Sequence, residues 1–368
     1  MKALVLYGPG DLRLEEVPKP TATPGSVVVR VIAAPIWDYV SQVVDGLSGS
    51  VTFPHAYPQI FGTCCVGRVD ESGPDVSSVE PGQLVFCDHI VYLRDAPDKR
   101  FVLGYHGGHL AQELKVSSGH WKDGCFAEFA RFPAENVHIV DEQLIASQGI
   151  VEPAQLGEIS GIMSAIGAAN AINIRASETV IVMPATAFFS SSAIVAALGL
   201  GANVVAVDQS ESTLAALIEH FGEDGKRIVP VALTGDTAKD SSRLRAATPG
   251  GRGADAYIDF SSPEMSGGTH IHAGLLALKR FGRCCLAGMA PQDDVPLPYG
   301  LIRANCLTLL GSFAQTRRDV ALTIRLIETG GLNLRKDIAR QFSLEEVSNA
   351  MKLANETRGW EKMVVIRP

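Results

Sequence analysis

Residues 179–192 read Thr179-Val180-Ile181-Val182-Met183-Pro184-Ala185-Thr186-Ala187-Phe188-Phe189-Ser190-Ser191-Ser192, and 202–208 read Ala202-Asn203-Val204-Val205-Ala206-Val207-Asp208. The run Thr179–Met183 is almost wholly apolar, the pattern of a strand buried on both faces. Ser191 to Leu198 is rich in alanine and predicts a helix. Ala202–Asp208 predicts a second buried strand. A strand, a small-residue turn, a helix and a strand ending in aspartate is the grammar of a dinucleotide-binding unit. The alternation continues outward. Upstream, Gln155 to Asn170 predicts a helix. Downstream come a helix at Glu211–Phe221 ended by Gly222, a strand at Arg227–Val231, a strand at Ala254–Asp259, a helix at His272–Lys279 and a strand at Gly282–Gly288. Apolar strands alternating with helices imply an α/β, doubly wound parallel sheet of about 150 residues.

Asp208 lies 24 positions beyond Pro184, close to the spacing of a carboxylate that accepts adenosine ribose hydroxyls. Gln209, Ser210 and Glu211 follow, and none is basic. A 2′-phosphate beside Asp208 would be repelled, which favours NAD(H) over NADP(H). The turn itself holds no glycine. Ala185 and Ala187 are small enough to leave some room for a pyrophosphate. Thr186 and Ser190 offer hydroxyls at a helix N-terminus, where a phosphate can be held; serine there serves equally as a plain helix cap. Phe188 belongs in the core.

The first 150 residues read differently. Ser26–Ile32, Val66–Asp70, Pro81–Cys87 and Cys125–Arg131 are short strand candidates bounded by turn residues. They predict an antiparallel, barrel-like β domain. Residues 88–124 interrupt it with a polar excursion holding His89, His106, His109 and His120. Beyond Leu307 the chain gives one more strand, a helix at Asp319–Thr329, a capping box at Ser343–Glu346 and a last strand at Lys362–Ile366.

The chain has 368 residues, 32 basic and 40 acidic, for a net charge of −8. The acidic balance disfavours nucleic acid as a partner, because a phosphate backbone demands a basic footprint. No apolar run reaches bilayer thickness, so no membrane partner is expected. The opening apolar run, Ala3–Tyr7, is too short for a secretory core, and the expected location is cytoplasmic. Seven cysteines in such a chain are expected to be free thiols. There is no Cys-x-x-Cys, which excludes a structural zinc ribbon.

The order of β domain, doubly wound domain and short return to the first resembles the medium-chain dehydrogenase/reductase superfamily. Supporting phrases are Pro81-Gly82-Gln83-Leu84-Val85, Asp123-Gly124-Cys125-Phe126-Ala127-Glu128, Gly253-Ala254-Asp255, Gly282–Gly288 and Lys362–Ile366. The resemblance implies a GroES-like antiparallel β-barrel catalytic domain over 1–150, completed by 312–368, and a Rossmann domain over 151–311. The turn at Pro184-Ala185-Thr186 resembles a zinc-free, alcohol-dehydrogenase-like or enoyl-reductase-like branch. Zinc-bearing members would carry a cysteine near Trp37, a Gly-His-Glu near Gly62-Thr63-Cys64 and a third ligand near Glu158. Here only Cys64 and Glu158 remain, and a catalytic zinc needs three protein ligands. No zinc is therefore expected.

The resemblance also implies roles. Trp37, Asp38 and Tyr39 fall at the floor of the substrate cleft. Tyr39 is the first choice as proton donor, Asp38 orients it or faces solvent, and Trp37 shapes a flat apolar wall. Cys64 is a second proton donor or nucleophile, or a packing residue. Asp88-His89 lies at the root of the excursion, whose other histidines read as a solvated lid. Ser261 falls near the adenosine ribose or the cofactor bridge, Gly288 with Met289 along the nicotinamide, and Ser312 at the carboxamide. The expected function is zinc-independent hydride transfer between NAD(P)(H) and a small or medium apolar molecule, with reduction of an activated C=C foremost. Alcohol/ketone interconversion is the alternative within the class. A cofactor-free lyase, cyclase or binding protein on the same scaffold is the alternative outside it. A homodimer formed through the edge of the parallel sheet, near Cys306–Leu310, completes the expectation.

Overall fold

The computed structural model describes residues 1–46, 55–262, 265, 268–288, 295–357 and 359–368. They form two compact units. The first comprises Met1–Ser160, Thr316–Thr329 and Lys336–Pro368; the second comprises Gly161–Gln315 and Gly330–Arg335.

In chain order the first unit holds β1 (Lys2–Leu6), β2 (Leu12–Glu16), β3 (Ser26–Ile36), β4 (Gln59–Ile60), β5 (Cys65–Ser72), β6 (Leu84–Cys87), β7 (Ile90–Leu93), β8 (Ala96–Val102), β9 (Phe129–Pro133) and β10 (Val137–Ile139). β3 is the spine. Its Val27, Val28 and Val29 are all buried, as a strand covered on both faces requires. One edge of β3 takes β5 antiparallel from Val27 to Ala33. The other edge takes β9 over Ser26–Arg30 and the strand Lys362–Ile366 over Ala34–Ile36. β6 extends the sheet from β5 to β10, and Asp337–Phe342 lies parallel to Lys362–Ile366. β1 pairs with β2 and β4 in a separate small sheet.

The excursion after Cys87 is built, not loose. β7 and β8 form a hairpin, and the helix Ala111–Ser117 follows. Glu113 accepts hydrogen bonds from the Arg100, His109 and Leu110 N–H groups. His109 and His120 are exposed, but His106 is buried and its Nδ1 accepts from the Gly108 N–H at 3.1 Å. The expected solvated lid is corrected there: the histidine packs among Tyr105 and His109.

The second unit is a parallel sheet of β11 (Thr179–Met183), β12 (Asn203–Asp208), β13 (Ile228–Ala232), β14 (Ala254–Asp259), β15 (Leu278–Leu286) and β16 (Thr308–Gly311). Its order is β13-β12-β11-β14-β15-β16. The chain runs outward from β11 in one direction and then, from β14, in the other. The two β strands flanking that reversal therefore leave a crevice at their carboxyl ends, the usual ligand position in such sheets. Every residue of β11 is buried. The helix after it starts at Phe188, three residues earlier than the alanine run suggested, and Phe188 is in the core. A helix at Thr237–Ala246, capped by Asp236, escaped the sequence reading. The predicted helix at His272–Lys279 is Thr269–Ala277 instead, and β15 begins at Leu278. Its ladder with β14 slips by an irregularity near Ala254, close to the left-handed Phe281. All seven cysteines are free thiols, and six are buried. No helix among the described residues is long and apolar enough to cross a membrane.

The segment leading to β5 is fixed by two glycines. Gly62 has φ +104°, and a Cβ there would fall 2.4 Å from the Phe126 ring. A Cβ on Gly124 would fall 1.8 Å from the Gly62 carbonyl oxygen. Gly124→Ala is therefore expected to cost the first unit more than about 2 kcal/mol, read as a lower thermal unfolding midpoint.

Candidate functional site

In the first unit, β3 delivers Trp37, Asp38 and Tyr39 in succession, and Tyr39 opens the short helix Val40–Val44. Trp37 is buried. Its Nε1–H donates to Ser160 Oγ at 3.3 Å, and that hydroxyl donates to the Gly157 carbonyl at 2.7 Å. The indole lies 5.7 Å from the Tyr39 ring and meets the His89 ring edge-on at 5.3 Å. Cys64 is fully enclosed and shares hydrogen bonds with the Thr63 and Ser160 hydroxyls. Burial drives both the Cys64 thiol and the Tyr39 phenol well above their ordinary pKa values, and for Tyr39 the neighbouring Tyr105, Asp38 and Cys64 add to it. Both groups are protonated at neutral pH. Burial pushes His89 the other way, to about 3, so its ring is neutral. The His89 Nδ1 stands 3.8 Å from Asp88 Oδ1, too far for a hydrogen bond. Asp88 Oδ1 accepts from the Ile90 N–H at 3.2 Å.

Glu158 ends the 3-10 helix Pro153–Glu158 and is completely buried. Its Oε2 accepts the backbone N–H of Lys336 at 2.8 Å. Lys336 is itself buried, with Nζ 3.4 Å from the Trp360 carbonyl oxygen. Burial pulls its pKa down to about 8, against the pull of the Glu158 and Asp38 carboxylates. One cluster thus holds Trp37, Asp38, Tyr39, Cys64 and Glu158 together with Ser160 and Lys336, which the sequence reading missed. Ser160 had a faint signal, two residues beyond Glu158 at a helix start. Lys336 had none, standing 178 positions from its partner in a polar stretch.

Of Trp37, Cys64 and Glu158, two carry a side chain able to bind zinc. Trp37 offers no metal ligand, and Glu158 Oε2 already accepts the Lys336 backbone N–H. Among the described residues no group of three His, Cys, Asp or Glu is arranged to hold a metal ion.

In the second unit, the turn after β11 faces the crevice. The Thr186 N–H and Oγ1–H both donate to Asp208 Oδ2, at 3.0 and 2.5 Å, and the Gln209 N–H donates to Asp208 Oδ1 at 2.7 Å. A carboxylate has about four acceptor positions. Three are used by the chain, which leaves room for one ribose hydroxyl on Oδ1. Thr186 and Ala187 are partly exposed, whereas Ala185 and Ser190 are enclosed. Ser190 Oγ has no hydrogen-bond partner among the described residues. Ser191 and Ser192 turn their hydroxyls back to the Phe188 carbonyl, and the helix cap is Ala187.

Across the reversal, Ser261 is buried at the end of β14. Its hydroxyl lies 2.5 Å from Asp259 Oδ1 and 2.6 Å from His270 Nε2, and the Tyr257 hydroxyl donates to the same Asp259 oxygen at 3.0 Å. Gly288 lets the chain pass: a Cβ there would fall 2.3 Å from the Ser261 nitrogen. The Ser312 N–H donates to the Leu286 carbonyl at 2.9 Å. Met289 lies outside the described residues. The crevice at the strand reversal, the small turn and the acidic acceptor fit a dinucleotide.

A β-barrel-like unit joined to a doubly wound unit with this strand order defines a class of nucleotide-dependent oxidoreductases. Family models agree. The alcohol dehydrogenase GroES-like domain matches residues 23–142, and the zinc-binding dehydrogenase model matches 190–329. The chain belongs to the medium-chain dehydrogenase/reductase superfamily and is an NAD(P)-dependent oxidoreductase of that family. Trp37, Cys64 and Glu158 all lie outside the second match, so its name says nothing of their metal. The acryloyl-coenzyme A reductase of Sulfurisphaera tokodaii is 26% identical, covering 99% of each chain. The L-threonine 3-dehydrogenase of Pyrococcus abyssi is 27% identical over 93% of this chain and 90% of that protein. The crystal structure of an NAD-dependent alcohol dehydrogenase shares the fold, with a TM-score of 0.76 at 24% identity and full coverage of both chains.

Two outcomes test this geometry. Thr186→Val removes one charge-assisted bond to Asp208 and is expected to cost the second unit about 1.5–3 kcal/mol, measured by denaturant unfolding. Lys336 has its folded pKa, about 8, below its ordinary 10.5. Between those values the unfolded chain binds the extra proton, so this residue's contribution to stability rises with pH. The difference in melting midpoint between wild type and Lys336→Met is expected to grow in favour of wild type from pH 8 to 10.

Proposed function

We propose that the protein is a zinc-independent reductase that adds hydride to an activated C=C of a small or medium apolar substrate, using NADH in preference to NADPH. The observation that carries this reading is the set of groups near the end of β3: a tryptophan, a buried thiol and a glutamate that accepts a backbone N–H, with no three-ligand metal site among the described residues. An enone or unsaturated thioester accepts hydride at carbon without a strong Lewis acid, whereas a plain ketone gains more from one. The full-length similarity to an acryloyl-coenzyme A reductase supports the same choice.

The nicotinamide, when bound, supplies the hydride. The chain does the rest. Asp208 Oδ1 accepts a ribose hydroxyl and its charge repels a 2′-phosphate. Thr186 and Ala187 form the floor under the pyrophosphate. Ala185 and Ser190 support that turn from within, and Gln209 pins the carboxylate. Ser261 borders the adenosine ribose or the bridge of the cofactor, and Gly288 and Ser312 border its nicotinamide half. In the first unit Trp37 gives a flat wall and Tyr39 holds the proton that ends the reaction. Burial keeps the phenol protonated, and an enolate is a stronger base than a phenolate, so the proton still moves downhill. Asp38 orients the phenol, and Cys64 is the second proton source. Alcohol/ketone interconversion is the second reading, supported by the threonine dehydrogenase relative. It asks Tyr39 to accept a proton from an alcohol, which burial opposes. The protein acts in the cytoplasm as a homodimer paired through β16, the edge strand of the parallel sheet.

Titration of the metal-free protein with NADH and NADPH comes first, followed by a panel of enones and ketones. NADH is expected to bind more tightly, with Asp208→Asn narrowing the preference. Tyr39→Phe is expected to lower kcat by about 10²–10⁴-fold with little change in KM. Preference for NADPH would overturn the role of Asp208. Binding of neither would replace the reductase reading with a cofactor-free activity.

A further inference from the structure

The second unit carries a cavity on the rim of the parallel sheet that lies away from the crevice. The helix Phe188–Gly199 starts at the carboxyl end of β11, so its last turn lies at the opposite rim, where β12 and β13 begin. There Leu198, Phe221 and Leu332 wall a cavity of about 200 Å³. All of its lining belongs to the second unit, including the loop Gly330–Arg335.

Three charged side chains line this cavity: Asp224, Arg227 and Arg335. Arg227 Nη2 donates to Asp224 Oδ1 at 3.2 Å, and Arg335 Nη2 donates to Asp224 Oδ2. Arg227 Nη1 also donates to the Leu198 and Ala202 carbonyls at 3.0 and 3.4 Å. The Arg335 guanidinium lies 5.7 Å from the centre of the Phe221 ring, and His220 Nε2–H donates to the Arg335 carbonyl at 2.5 Å. Both guanidiniums are thus fixed in place, yet water still reaches them, with the Arg227 side chain 38% and the Arg335 side chain 22% exposed. One carboxylate stands against two guanidiniums. That is a local surplus of one positive charge in a chain whose net charge is −8. Two guanidiniums on one carboxylate repel each other, and a second anion between them would offset the repulsion.

We propose that this cavity is a binding site for a small organic oxyanion, whose carboxylate or phosphoryl group is held between Arg227 and Arg335. The planar fork of arginine matches two oxygens of either group. The volume falls below the roughly 300–1,000 Å³ usual for drug-sized ligands, so a compact metabolite fits and a dinucleotide does not. An occupant ties the loop Gly330–Arg335 to the 3-10 helix Gly222–Arg227 that leads into β13. The residue after that loop, Lys336, places its N–H on Glu158 Oε2, so a ligand that steadies the loop steadies the chain that makes this contact. The inference stands apart from the proposed reductase, because no part of it depends on the cofactor or the substrate.

The test uses the full-length, cofactor-free protein, titrated by calorimetry with inorganic phosphate and with malonate at constant ionic strength. Saturable binding of at least one of them is expected, and the one that binds identifies the recognised group. Hydrogen exchange locates it: the amides of residues 331–336 are expected to exchange more slowly with the anion bound. Arg227→Gln and Arg335→Gln are each expected to weaken binding about tenfold or more, as loss of a charge-assisted bond implies. Asp224→Asn removes the competing carboxylate and is expected to tighten binding about threefold or more. A general loosening of the fold would weaken all three variants and cannot imitate this pattern. Binding of neither anion, affinity that both Arg→Gln variants retain, or protection confined to the turn at residues 184–192 overturns the proposal.

Discussion

β3 is hydrogen-bonded along both edges, and the site of the first unit depends on that. A strand with partners on each side cannot shift its register without breaking both ladders. Its amino half is held by β5 and β9, and its carboxyl half by the strand Lys362–Ile366. Trp37, Asp38 and Tyr39 leave the strand directly after Ile36, so their starting point is fixed. The 3-10 helix ending at Glu158 packs on the same strand. That places Glu158 and Ser160 where Lys336 and Trp37 can reach them.

Burial then sets the chemistry. Water is excluded, so charged forms are disfavoured unless a partner compensates. Cys64 and Tyr39 remain protonated and His89 remains neutral. In the second unit the same economy appears in another form. A turn without glycine cannot rely on backbone freedom, and it is secured by Thr186 bonding twice to Asp208. The residue we propose to receive the ribose is therefore also the residue that shapes the turn.

The parallel sheet was legible because its signals are local. Thr179–Met183 and Asn203–Asp208 announce buried strands by composition alone, and the helix Glu211–Phe221 carries its own stop at Gly222. Boundaries failed where tertiary contacts override propensity. Phe188 enters the helix because its ring is needed in the core. Leu278 begins a strand because β14 offers it a partner. The site was legible in part. Trp37, Asp38, Tyr39, Cys64 and Asp208 stand out by type and position. The pairing of Glu158 with Lys336 and of Ser261 with His270 does not, because no pattern in a single sequence records which distant side chains meet. The burial of His106 was hidden for the same reason, since a histidine in a glycine-bearing stretch looks solvated until its neighbours are known.

The interrupted path of the chain through the first unit has a consequence for biosynthesis. The second unit is nearly contiguous, from Gly161 to Gln315 with a short addition at Gly330–Arg335. It can assemble while the ribosome is still making the remainder, as domains generally do. The first unit cannot close until Lys362–Ile366 has emerged to cover Ala34–Ile36. Ala34–Ile36, which lead into Trp37, are synthesised early and paired last. Through most of translation the apolar half of β3 waits for its final strand, and that interval is when the nascent chain most needs a chaperone.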